Sequence, residues 1–201
     1  MTRIGLKKKS VLYSLFLFLI IFLNWGGLSI AEAAEQPKDG IALEKVADYI
    51  FAIIEADREV YTNVIVKRMQ DLGIVMARED WKVKNAIPLP AQFLHSSSKL
   101  VAETGNGLRF RLISLWPIYP RNGPATEYER NALEQLVRNP DVPQRGVVKS
   151  GKKKFFQTIY ADKATGSPCI TCHNAHPLSP KRDFKIGDTM GGVVINIPMN
   201  P

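Results

Sequence analysis

Side chains that bind metals or attack substrates are scarce in this chain, which has two cysteines and three histidines among 201 residues. A closed zinc site takes four ligands, and beyond the two thiols only His173, His176 and the distant His95 are on hand. Acid–base catalysis needs proton-transfer groups set beside a reacting centre, and no such constellation is recognisable. There is no internal repeat and no regular alternation of strand and helix patterns, so neither a repeat array nor a parallel βαβ sheet is expected. Acidic residues are the minority, 19 against 27 Lys and Arg, for a formal charge of +8.

The scarce residues are concentrated. Both cysteines lie in Cys169-Ile170-Thr171-Cys172-His173, and C-x-x-C-H is the attachment signal for c-type haem. Each thiol adds across one haem vinyl group as a thioether, and the two intervening residues let both sulfurs reach neighbouring vinyls. His173 is left under the iron as its proximal axial ligand. Other uses of a C-x-x-C pair fit less well. A thioredoxin-like couple belongs in a βαβ unit, a zinc site lacks ligands, and a disulfide across two residues is strained and closes a trivial loop. The expectation is one covalent haem c on Cys169, Cys172 and His173.

Residues 1–33 read as a secretory signal peptide. Arg3, Lys7, Lys8 and Lys9 precede an apolar run from Val11 to Leu23, and Ala31-Glu32-Ala33 is an A-x-A cleavage site. That run is short for a membrane span, which takes about twenty residues. If it stays uncleaved and continues through Trp25, Leu28 and Ile30, residues 11–31 become an inner-membrane anchor. Either way the domain is expected outside the cytoplasm, in the periplasm, where loose thiols oxidise and the c-haem maturation machinery works. Cleavage removes four basic residues and one acid, so +8 falls to +5. Nucleic acid is excluded as a partner by export; a redox partner protein or a membrane signalling protein is expected instead. Lys149 and Lys152–Lys154 would suit an acidic partner or anionic lipid, but charge runs at turns are ordinarily solvated, and that is the preferred reading.

After a linker at residues 34–40, residues 41–201 read as a single domain. Leu43, Val46, Ile50, Ile53, Ile54, Val60, Tyr61, Val64, Met69 and Leu72 recur at helical steps up to Gly73. This is one long amphipathic helix, unless Asp57-Arg58-Glu59 splits it. Ile87-Pro88-Leu89-Pro90 is a connector, and Ala91–Glu103 reads as a helix ended by Gly105-Asn106-Gly107. Leu108, Phe110 and Leu112 alternate as a strand that stops before Pro117. Thr126 with Glu129 forms a capping-box pattern for a further helix that closes at Asn139-Pro140. Residues 146–148 and 155–160 read as strands joined at Ser150-Gly151, and Val193, Ile195 and Ile197 alternate near the end. The fold class is α+β, a small antiparallel sheet packed against helices.

The order of softer motifs carries a resemblance. Pro88-Leu89-Pro90-Ala91 with Phe93, Ser114-Leu115-Trp116-Pro117, and Asn122-Gly123-Pro124 before Glu129 and Ala132-Leu133 come first. Cys169–His173 with Asn174 and Pro177, then Gly187-Asp188 with Gly191, complete the series. In that order they resemble the family of PAS-like c-type haem domains of unknown function. The family includes extracytoplasmic input modules of sensor kinases and chemoreceptors as well as free-standing exported proteins, and this chain is similar to the second form. The resemblance implies a PAS-like fold with a long N-terminal helix and flanking helices. Some relatives use a cysteine as second axial ligand, and here none is spare.

The sixth position is therefore open to several candidates: Met69, Met76, Met190, Met199, His95 and Tyr61, or water. Each has a plainer role in the core or on the surface. His176 lies on the proximal side and is expected to make a hydrogen bond there. Arg109 and Arg111 would suit haem propionates or, more ordinarily, a solvated strand face; Trp116 and Phe110 would wall the pocket or fill the core. The expected function is one-electron transfer by an exported monohaem cytochrome, with redox or gas sensing through a separate partner as the alternative, and enzymatic use ranked last.

Overall fold

A computed structural model describes residues 40–199; the signal or anchor segment and most of the linker lie outside the described residues. Among the described residues no helix is long and apolar enough to cross a membrane.

The first helix runs as the hydrophobic spacing predicts. Helix α1 (Leu43–Glu59) passes without a break into a π-helical stretch (Val60–Val66) and then α2 (Lys67–Asp71), and Gly73 ends it at φ 65°. The charges at 57–59 do not split it. Arg58 instead turns inward, four residues after buried Ile54 and four before buried Thr62. Helix α3 (Pro90–Glu103) opens on proline, which sits comfortably where no intrahelical N–H partner exists. The Gln92 side chain accepts from the Leu89 N–H at 3.0 Å there. Tyr61 ties the long helix to this connector, donating to the Pro88 carbonyl at 2.7 Å and stacking on Phe93 at 4.3 Å.

Strand β1 (Arg109–Ile113) precedes helix α4 (Glu127–Arg138). Thr126 caps α4, its hydroxyl accepting from the Glu129 N–H at 3.2 Å, but only half of the capping box forms. The Glu129 carboxylate leaves the cap to take Arg111 and the Ala125 N–H, each at 2.7 Å. Strands β2 (Gln144–Ser150) and β3 (Lys153–Lys163) form the expected hairpin, turning at Gly151 with φ 60°. Helix α5 (Ser167–Ala175) follows, and β4 (Thr189–Pro198) ends the domain.

All pairings are antiparallel and the order is β1-β4-β3-β2. The last strand is thus central and covered on both faces. Val193, Ile195 and Ile197 meet Phe156, Tyr160, Ile54 and Leu94 beneath α1 and α3. Val194 faces Ile159, Leu133 and Leu136 of the α4 side. A strand buried on both faces reads as a continuous apolar run, and Val193-Val194-Ile195 is one. The architecture is the α+β one, a four-stranded antiparallel sheet with helices packed on it.

Candidate functional site

Helix α5 presents the C-x-x-C-H residues together. Cys169, Cys172 and His173 stand at helical steps of three and four, so both thiols and the imidazole share one face. Both thiols are free and half-buried. The helix follows a strand, the setting a thioredoxin-like couple would have, but β3 and β4 are antiparallel neighbours, so the unit is not βαβ.

An apolar wall stands against this helix. Ala164, Phe184 and Met190 are buried together, with Trp116, Cys169 and Ile170 packed on them. Phe184 meets the Trp116 ring edge-on at 5.7 Å and the His173 ring at 5.9 Å. The Asn174 side chain clamps Phe184, donating to its carbonyl at 2.9 Å and accepting from its N–H at 3.0 Å. Ser114 donates to the Met190 carbonyl at 2.6 Å and accepts from the Trp116 N–H at 2.9 Å, pinning the segment that carries the indole. Lys181 lies over both the Trp116 and Phe184 rings.

The other flank is the long helix. Asn63 donates to the Thr165 carbonyl at 3.2 Å, and Gly166 lets it in: a Cβ there would lie 2.1 Å from the Asn63 Oδ1. Nearby, Arg58 pairs with Asp162, with both side chains about 85% buried. The Arg58 Nε is buried with no hydrogen-bond partner among the described residues. Burial opposes the guanidinium charge, yet Asp162 outweighs it, with Cys169 and Glu55 adding to the effect, so the Arg58 pKa lies above its ordinary value.

Burial is the leading influence on the charges of Cys172 and His173. Burial pushes the Cys172 thiol up, with Glu79 and Cys169 adding to it. Burial lowers His173 against the opposing pull of Asp162, and His176 lowers it further. A neutral imidazole is the form that binds a metal. The His173 Nδ1 is buried with no hydrogen-bond partner among the described residues. His176 takes the expected polar role: its Nδ1 accepts from the Leu178 N–H at 3.1 Å, and its Nε2 lies 3.2 Å from Glu79.

The candidates for a sixth ligand are dispersed. Met190 is buried in the wall beside Cys169; Met69 is half-buried at the end of the long helix; Met199 packs on the core beneath α1 and α3. Met76 is 54% exposed, His95 faces solvent on α3, and the Tyr61 hydroxyl is committed to Pro88. The β1 arginines are engaged elsewhere. Arg111 holds the buried Glu129, because α4 covers a face that alternation alone reads as solvated, and Arg109 donates to the Leu108 carbonyl at 2.8 Å. Trp116 joins the wall, whereas Phe110 belongs to the core beneath α1 and α3. Lys152–Lys154 lie at the far end of β3 from α5, about 33 Å away along an extended strand.

Sequence reading gave no site role to Arg58, Asn63, Asp162 or Phe184, and met Asn174 only within the motif series of the resemblance. Only Arg58 left a signal: a charge in step with the apolar stripe rather than opposite it.

Fold and site together define an α+β domain that carries a C-x-x-C-H helix beside its four-stranded antiparallel sheet. The chain belongs to the Tll0287-like family, whose model matches residues 40–198. Among solved structures, the cyanobacterial heme-protein Tll0287 is similar at 18% identity and a TM-score of 0.49, covering 78% of this chain and 96% of its own. No curated protein matches the chain.

Proposed function

We propose that the chain is an exported monohaem c-type cytochrome that passes single electrons between protein partners. Cys169 and Cys172 would carry the haem through thioethers and His173 would be its proximal ligand. When bound, the group supplies a one-electron couple at iron. The chain's own residues hold and shelter it: α5 sets both sulfurs on one face, Phe184 and Trp116 keep water from that side, and Asn174 fixes Phe184 in place.

One observation carries this reading. His173 is half-buried beside two free thiols, its pKa lowered by burial, with a buried nitrogen that no group among the described residues satisfies. Buried polar atoms are ordinarily paired, and an imidazole held open for a metal accounts for the exception. Zinc fits the donor set less well, because among the described residues no group of three or more metal-binding side chains converges.

Expression with the c-haem maturation machinery should give a red protein whose haem resists acidified acetone. Cys169→Ser with Cys172→Ser should abolish that colour, and extractable haem in the wild type would sink the proposal. Sensing through a separate partner is the second reading. It is favoured by the commitment of Tyr61 to Pro88 and by the exposure of Met76 and His95, which leave fewer groups for the sixth position. Carbon monoxide separates the two: rapid binding by the reduced protein supports sensing, and an unreactive low-spin spectrum supports electron transfer.

A further inference from the structure

As a stabilising device the pair between Arg58 and Asp162 is poor. Replacing buried ion pairs by apolar residues is often neutral or favourable, and here the Arg58 Nε finds no partner among the described residues. What it does that an apolar pair cannot is impose a field. Arg58 projects from α1, and Asp162 lies where the register of β3 against β4 shifts, a kind of irregularity that re-aims side chains near functional sites. The strand then leads within five residues into the helix of Cys169, Cys172 and His173.

We propose that Arg58 and Asp162 are positioning charges for the haem, pushing its reduction potential in opposite directions, Asp162 down and Arg58 up. This rests on the haem reading of the same site. Ferric haem carries one more positive charge than ferrous haem. A carboxylate beside it favours the oxidised form, and a guanidinium favours uptake of the electron. With exposures of 15% and 14% the two charges are little screened by water or salt. They also reach the site from two sides: Arg58 from the long helix whose Asn63 donates to the Thr165 carbonyl at 3.2 Å just before α5, and Asp162 from the strand that leads into α5.

The test is a spectroelectrochemical titration of the matured wild type, Asp162→Asn, Arg58→Met and the double variant, at low and high salt. The potential should rise in Asp162→Asn, fall in Arg58→Met, lie between them in the double variant, and depend little on salt. A merely structural pair gives another pattern: losing either partner loosens the site and admits water, so both single variants shift the same way. Shifts of the same sign, or none, overturn the proposal. Where Arg58→Met does not accumulate folded, the double variant compared with Asp162→Asn reads the effect of the guanidinium without an orphaned carboxylate. Acid-acetone-resistant haem is scored first. A colourless wild type overturns the haem reading itself, whereas a red protein with same-sign shifts overturns only the roles of Arg58 and Asp162.

Discussion

Gly166 separates the strand that ends at Lys163 from the helix that carries Cys169, and its replacement by alanine tests how tightly that helix is docked. Its φ of −164° is extended backbone open to any residue, so the cost of alanine is steric alone. The new Cβ would stand 2.1 Å from the Asn63 Oδ1 and 3.2 Å from its Cγ. Asn63 can swing away only by giving up its 3.2 Å bond to the Thr165 carbonyl, worth about 1 kcal/mol. Otherwise the backbones part, an overpacking cost of about 1–3 kcal/mol. Gly166→Ala should therefore lose about 2 kcal/mol, or about 4–8 °C in Tm for a domain of this size, and should accept less haem. Asn63→Ala alone should lose about 1 kcal/mol. In the double variant the clash is gone, so the total should return to about 1 kcal/mol rather than the additive 3. Urea unfolding of the four proteins reads the coupling. Additivity to within about 0.5 kcal/mol would refute the claim that Asn63 and Gly166 meet.

Two further perturbations probe the frame around the site. Glu129 is 3% exposed and accepts from Arg111 and the Ala125 N–H, so Glu129→Ala should cost about 3 kcal/mol in denaturant unfolding, the low end for a broken buried pair because Arg111 reaches solvent; a loss below about 1 kcal/mol would contradict that. Asp48 accepts from Tyr160 and Arg145 at 2.7 Å each. The Tyr160 hydrogen bond, against some burial, and then Arg145 and Lys45 hold its carboxyl below the ordinary 3.8. A lowered pKa contributes stability that is present above the ordinary value and lost as pH falls through the folded one. The gap between wild type and Asp48→Asn should thus be constant from about pH 5 to 8 and close below about pH 4, and it should be small because Asp48 is 39% exposed; a gap that widens on acidification would reverse the assignment.

What the sequence discloses here is what local spacing encodes. The 43–72 helix, the stop at Gly73, the Thr126 cap and the hairpin at Ser150-Gly151 all rest on neighbours within about four residues, and each is found. The C-x-x-C-H residues are legible for the same reason. The rest depends on partners far along the chain. Arg111 reads as a solvated charge because nothing within β1 reveals that α4 will lie over it and supply Glu129. Val193, Ile195 and Ile197 alternate as though half-buried, while the intervening Val194 packs under α4 once β4 becomes the central strand. Around the motif, Asp162 is 104 residues from Arg58, and Asn63 is 102 from Thr165. Only tertiary closure brings such pairs together, so the C-x-x-C-H motif is visible in the sequence and its electrostatic surroundings are not.

Met190 is the point at which wall and ligand readings diverge, because it shares a buried cluster with Cys169 of the motif. Its side chain is 7% exposed among Ala164, Phe184 and Cys169, and its backbone is pinned by Ser114 at 2.6 Å. A thioether engaged in packing on the thiol-bearing helix is a filler of irregular space. Leucine nearly matches its volume, so Met190→Leu should cost less than about 1.5 kcal/mol, whereas Met190→Ala, which leaves a void, should cost about 2–5 kcal/mol. The visible spectrum of the matured Met190→Leu protein, oxidised and reduced, should match the wild type. A low-spin wild-type spectrum that turns high-spin in Met190→Leu, with new reactivity toward carbon monoxide, would make Met190 the axial ligand. It would also refute a purely packing role for Met190 beside Cys169.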